Sequence, residues 1–126
     1  MKHITQTYTI KAPLKKVWQA LVDPEIIHEW SGGPVKMDEK EGTKFSLWGG
    51  DIHGINTKVV LYKLLTQDWY EGDWAKPSQV IFTLIYKNGV TTITLDHKNI
   101  PDDAAADIAD GWKTYYLGPM KELLEQ

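Results

Sequence analysis

The chain of 126 residues is 42% hydrophobic and 25% charged with a net charge of −3, an ordinary globular composition too acidic to favour nucleic acid or an anionic membrane as partner. It has no cysteine, which excludes disulfides, thiolate nucleophiles and thiolate metal sites together. No apolar run reaches membrane-spanning length and Met1-Lys2-His3-Ile4-Thr5 lacks the apolar core of a signal peptide, so a cytoplasmic protein with one domain over residues 1–126 is expected.

Ile4, Tyr8 and Ile10 share a face against Thr5, Thr7, Thr9 and Lys11, the period-two pattern of a half-buried strand. Ala12-Pro13 ends it, and a short helix follows with the stripe Val17, Trp18 and Leu21. Asp23-Pro24 stops that helix and caps a second, carrying Ile26, Ile27 and Trp30, which Ser31-Gly32-Gly33-Pro34 breaks. After a charged turn at Asp38 to Gly42, the chain up to Asn99 reads as an antiparallel meander. Phe45 and Leu47 alternate with Lys44 and Ser46, Gly49-Gly50-Asp51 turns, and Ile52, Gly54 and Asn56 share the next face. An apolar run from Val59 to Leu65, interrupted by Tyr62 and Lys63, follows, and Leu65, Gln67 and Trp69 alternate beyond it. A loop from Glu71 to Pro77 carries Trp74. The clearest hairpin sets Val80, Phe82 and Leu84 against Ile93 and Leu95 across an Asn88-Gly89 turn, and His97 continues the inward face.

The last stretch, Ile100 to Gln126, places Ala104, Ile108, Trp112, Tyr115, Tyr116, Met120 and Leu123 at helical spacing, one stripe broad enough to close over a sheet. Pro101 suits a first helical turn, and Asp102, Asp103, Asp107 and Asp110 crowd toward the end that the helix dipole favours for acids. Gly111 is expected to admit a close backbone approach beside Trp112, and Gly118-Pro119 to kink or restart the helix. The fold class is therefore α+β: a curved antiparallel sheet of about six or seven strands wrapped around a long C-terminal helix, with two short helices after the first strand.

Ala12-Pro13, Val17-Trp18, Leu21, Asp23-Pro24, Trp30, Gly42 with Lys44-Phe45, Gly50 through Gly54, Trp69 with Trp74, Lys87-Asn88-Gly89, Ile100-Pro101 and above all Gly111-Trp112-Lys113-Thr114-Tyr115-Tyr116 form an ordered set along nearly the whole chain. It resembles the START-like (Bet v 1-like, SRPBCC) helix-grip superfamily and, within it, the AHSA-type domain named for the C-terminal half of the activator of heat-shock chaperone ATPase. The resemblance implies two roles. Relatives in the superfamily hold apolar small molecules between sheet and helix, and the eukaryotic co-chaperones engage a heat-shock chaperone. In those co-chaperones a separate N-terminal domain with an Asn- and Trp-rich motif makes the principal contacts, and neither is found in this sequence.

Little in the sequence supports catalysis. His3, His28, His53 and His97 show no i, i+4 pair of a helical zinc motif. No metal site or cofactor is expected, because no phosphate loop, dinucleotide fingerprint or Gly-x-Ser-x-Gly elbow is present and the acidic cluster has an adequate role at a helix start. Six tryptophans and six tyrosines are the unusual feature, and such broad, stiff rings either fill a core or line a cavity. A twisted sheet curves away from a straight helix, so a chamber is expected between them. Phe45, Trp69, Phe82, Trp112 and Tyr116 would form its walls, Trp30 and Trp48 its mouth, and Asn56, Gln67 and His97 would orient the guest unless strand bulges turn them outward. The leading expectation is a non-enzymatic binder of a small apolar or aromatic molecule. The alternative is a heat-shock chaperone-interacting module; an enzyme using His97 as general base has no visible second partner.

Overall fold

The computed structural model describes residues 1–126. Its elements run β1 (Lys2–Ile10), α1 (Leu14–Val22), α2 (Pro24–Ser31), β2 (Val35–Lys36), β3 (Lys44–Leu47), β4 (Ile52–Val60), β5 (Leu64–Glu71), β6 (Ser78–Lys87), β7 (Val90–Ile100), α3 (Ala105–Gly111), a π-helical turn (Trp112–Leu117) and α4 (Gly118–Leu124). The seven strands form a single antiparallel sheet in the order β1-β7-β6-β5-β4-β3-β2, and the C-terminal helical run closes over its concave face.

Local chemistry explains most boundaries. The Asp23 carboxylate accepts from the Glu25 amide at 3.0 Å while Pro24 occupies the first helical turn, so one dipeptide ends α1 and starts α2. Gly32, at φ 73°, closes α2 in the left-handed conformation open to glycine. Asn88 and Gly89 both take positive φ, 51° and 81°, the two-residue turn whose twist matches the β6-β7 hairpin. Ser78, Val80, Phe82 and Leu84 on β6, Thr91, Ile93, Leu95 and His97 on β7, and Leu65, Gln67 and Trp69 on β5 are all buried, alternating with less buried neighbours. That alternation fixes register, since slipping by one residue would turn every apolar side chain outward.

Two local expectations need correction and two are sharpened. The interruption expected at Tyr62 and Lys63 is a full reversal: β4 ends at Val60, and a tight turn through Leu61–Lys63, with Tyr62 at φ 65°, leads the chain back into β5. Pro101 does not open the helix; the chain turns at Asp102, whose carboxylate meets the N-terminal amine at 2.9 Å, and α3 begins at Ala105. At Gly111 no close approach occurs, because a Cβ built there would meet nothing within 4 Å. Finally, the helix does restart at Gly118-Pro119, where α4 begins with the proline in its first turn, but without a break in the backbone. The Gly118 amide instead bonds the Lys113 carbonyl five residues back, and this wide turn absorbs the amide missing from Pro119 while helical dihedrals continue. A Cβ on Gly118 would lie 2.1 Å from the Lys113 oxygen, so the glycine permits the π turn.

The core joins both layers. Trp18 and Leu21 of α1, Ile27 of α2, Phe82 of β6, Leu95 of β7 and Leu117 and Met120 of the C-terminal run all lie within it. Each such side chain contributes about 1.5–3 kcal/mol relative to exposure.

Candidate functional site

Under the middle of the C-terminal run the rings interlock. Tyr116 packs on Trp30 with centroids 4.5 Å apart and on Phe82 at 5.9 Å, and Trp112 meets Phe82 edge-on at 5.7 Å. The space left by sheet curvature lies at one end instead: an open cleft of about 600 Å³ between the β4 and β5 ends and the junction of α3 with the π turn. Its lining is Trp48, Asp51, Ile52, Trp69, Glu71, Gly72, Asp107, Ile108, Gly111, Trp112, Tyr115 and Tyr116. Tyr115 is 64% exposed, so the aromatic wall continues to the surface.

Each wall is held by identifiable chemistry. Trp48 takes φ 53°, rare for an aromatic residue, and is fixed by donating its indole N–H to the Ser31 carbonyl at 3.0 Å and by standing edge-on to Trp30. Gly33 makes room for it, since a Cβ there would sit 2.6 Å from Trp48 Cδ1. Gly54 brings β4 close to β5: a Cβ would fall 1.8 Å from the Asp68 carbonyl oxygen and 3.0 Å from Phe45. Gly111 acts oppositely, leaving open the space a side chain would occupy.

Behind the cleft runs a closed polar chain. The Trp112 indole N–H donates to His97 Nδ1 at 3.0 Å, His97 Nε2 lies 2.7 Å from Ser78 Oγ, and the Ser78 hydroxyl donates to the Trp69 carbonyl at 2.8 Å. An indole nitrogen can only donate, so Nδ1 is bare and Nε2 carries the proton toward Ser78. Burial, with a smaller contribution from His3, pushes the His97 pKa down to about 3, keeping the imidazole neutral. Although Ser78 and His97 are neighbours, the proton lies on the wrong nitrogen for His97 to act as base toward Ser78, and both are 0% exposed. Trp69 differs from its neighbours: its indole nitrogen is the buried side-chain polar atom without a partner.

Of the residues expected at the site, Trp48, Trp69, Trp112 and Tyr116 line the cleft. Trp30, Phe45 and Phe82 pack in the core behind it. Asn56 and Gln67 face inward but bind each other, Gln67 Nε2 donating to Asn56 Oδ1 at 3.0 Å and Asn56 Nδ2 to the Asp38 carbonyl at 2.9 Å. His97 is one layer deeper than the lining and touches the site through Trp112 and Trp69. Sequence reasoning missed Tyr115, Gly111 and the acidic rim of Asp51, Glu71 and Asp107. The available signal was positional, because Asp107, Gly111 and Tyr115 recur every four residues on one helical face.

No group of three or more histidines, aspartates or glutamates is placed to hold a metal ion. No helix is long and apolar enough to cross a membrane.

Residues 11–125 match the family model of Activator of Hsp90 ATPase homolog 1-like protein. The chain is 25% identical over 120 residues to an uncharacterised protein of Schizosaccharomyces pombe, covering 94% of this chain and 36% of that one. It is 23% identical over 121 residues to the human Activator of 90 kDa heat shock protein ATPase homolog 1, again covering 94% of this chain and 36% of the relative. The chain thus spans about a third of the length of these relatives. Among solved structures, an HSP90 activator from Plasmodium falciparum superimposes with a TM-score of 0.92 at 25% identity, over 98% of this chain and 96% of that chain.

Proposed function

The chain belongs to the Activator of Hsp90 ATPase homolog 1-like family, and from that premise we propose that it is a non-enzymatic cytoplasmic binding module that takes a small, largely apolar, ring-bearing ligand in the cleft between Trp48, Trp69, Trp112 and Tyr115. The observation that carries this reading is the open aromatic cleft itself, about 600 Å³ in volume and floored by the side-chain-free Gly111. Such a volume is within the range of small-molecule sites, which pair apolar walls with a few polar groups. A bicyclic aromatic guest losing about 150 Å² of apolar surface would gain roughly 4 kcal/mol at 25 cal/mol per Å² before ordering costs, which points to weak binding, about millimolar, for a bare ring.

Titration with a naphthalene-type probe, followed by tryptophan fluorescence, tests this. Saturable quenching is expected in the native protein and its loss in Gly111→Leu, whose side chain would enter the cleft while favouring the helix. A fluorescence response that is non-saturable, or unchanged by Gly111→Leu, would count against the site.

A second reading is favoured by the family match and by the likeness to an HSP90 activator of nearly the same length: engagement of a heat-shock chaperone through the domain surface. A pull-down and an ATPase assay with the 90 kDa chaperone of the same host separate the two. Chaperone binding or stimulation that survives Gly111→Leu would place the chaperone surface outside the cleft, and absence of both would remove this reading.

A further inference from the structure

The acidic rim gives the cleft a charge preference that its aromatic walls alone would not. Asp51, Glu71 and Asp107 all line it, and no lysine or histidine does. None of their side chains takes part in a hydrogen bond or ion pair; the protein's ion pairs are elsewhere, joining the N-terminal amine to Asp102, His3 to Asp96 and Lys121 to Glu125. Three uncompensated carboxylates thus stand around indole faces, whose quadrupoles also attract positive charge.

Building on the small-ligand reading above, we propose that the cleft selects an organic cation: a ring-bearing ammonium whose ring lies against Trp48 and Trp112 and whose charge faces Glu71 and Asp107. The Glu71 carboxyl behaves as this arrangement requires. Burial first, then the negative charges of Asp107 and Asp51, raise its pKa above the ordinary glutamate value, the direction for a carboxylate whose counter-ion has yet to arrive. A bound ammonium would reverse that push.

Three matched probes distinguish charge from shape: 2-naphthylmethylammonium, 2-naphthylmethanol and 2-naphthoate, titrated into the full chain at low salt with tryptophan fluorescence and calorimetry as readouts. The ammonium is expected to bind about tenfold more tightly than the alcohol, and the carboxylate more weakly than either. Raising the salt should narrow the gap, because the rim is solvent-accessible. The exposed pair Glu71→Gln and Asp107→Asn should bring the ammonium's affinity down to that of the alcohol measured in the same variant. Equal affinity for ammonium and alcohol, or an advantage that persists in the double variant, overturns the charge inference while leaving the cleft as a site for neutral rings. Failure of all three probes to bind overturns both readings.

Discussion

Lowering the pH should destabilise this protein through one buried imidazole. In the unfolded chain His97 titrates near 6.5, whereas in the fold burial holds it at about 3. Between those values the unfolded state binds a proton that the folded state refuses. The stability from a neutral His97 is therefore fully present above pH 6.5 and declines as the pH falls toward 3, approaching about 1.4 kcal/mol per unit. From pH 7.5 to 4.5 the loss from this residue is roughly 2–3 kcal/mol, a large share of the 5–15 kcal/mol typical of a domain. Glu71 acts with the opposite sign, since its raised pKa favours the fold as pH drops, so the histidine effect is best read above pH 5.5, before carboxylates titrate. The assay is urea unfolding at half-unit steps from pH 7.5 to 4.5, comparing the native protein with His97→Gln. The other three histidines are common to both, so the difference between the two curves isolates His97. The native curve should fall more steeply below pH 6.5. Parallel curves, or an imidazole whose NMR signals titrate near 6.5 in the folded protein, would refute the buried chain from Trp112 to Ser78.

Three further outcomes follow from the packing. Gly54→Ala should destabilise by about 3 kcal/mol in urea unfolding, because its Cβ would fall 1.8 Å from the backbone oxygen of Asp68 and β4 would have to move off β5; a change below about 0.5 kcal/mol would contradict that strand spacing. In the C-terminal run, Gly111→Ala should stabilise by about 0.5–1 kcal/mol, whereas Gly118→Ala should destabilise by about 1–3 kcal/mol against the Lys113 carbonyl. Equal effects on thermal unfolding would mean that the π turn is absent. Asn56→Asp should cost about 3 kcal/mol at pH 7, where a carboxylate would oppose the Asp38 carbonyl that Asn56 now donates to. The cost should shrink near pH 4, as protonation restores a donor, and a pH-independent cost would place that side chain elsewhere.

What the sequence made legible depended on how local the cause was. Strand faces could be read because alternation is a property of neighbours, and it put Asn56, Gln67 and His97 inward, where the structure has them. Turns at Asp23-Pro24 and Asn88-Gly89 carried their own chemistry. The turn at Leu61–Lys63 did not: it holds Tyr62 at positive φ, and no glycine, asparagine or proline marks it. Gly111 and Gly118 show the same limit. Both looked like interruptions, yet one leaves a cleft open and the other permits an i→i−5 bond, and the difference lies in neighbours the sequence does not reveal. The cleft itself was the least legible feature. Aromatic excess pointed to rings around a gap, but Phe82, Trp112 and Tyr116 interlock on one side while Trp112 and Tyr116 face open space on the other. Which polar residues reach the cleft was equally hidden: Asn56 and Gln67 satisfy each other, while Glu71 and Asp107 converge on it from a strand end and a helix.

Indole N–H signals in a ¹H–¹⁵N NMR spectrum, recorded while a naphthyl ammonium is titrated in, test the binding site most directly. The resonances of Trp48, Trp69 and Trp112 should move together and saturate, while that of Trp18, which donates to Glu39 outside the cleft, should stay in place. Six unmoved indole signals at millimolar probe, or a shift confined to Trp18, would contradict a ligand site at this end of the sheet.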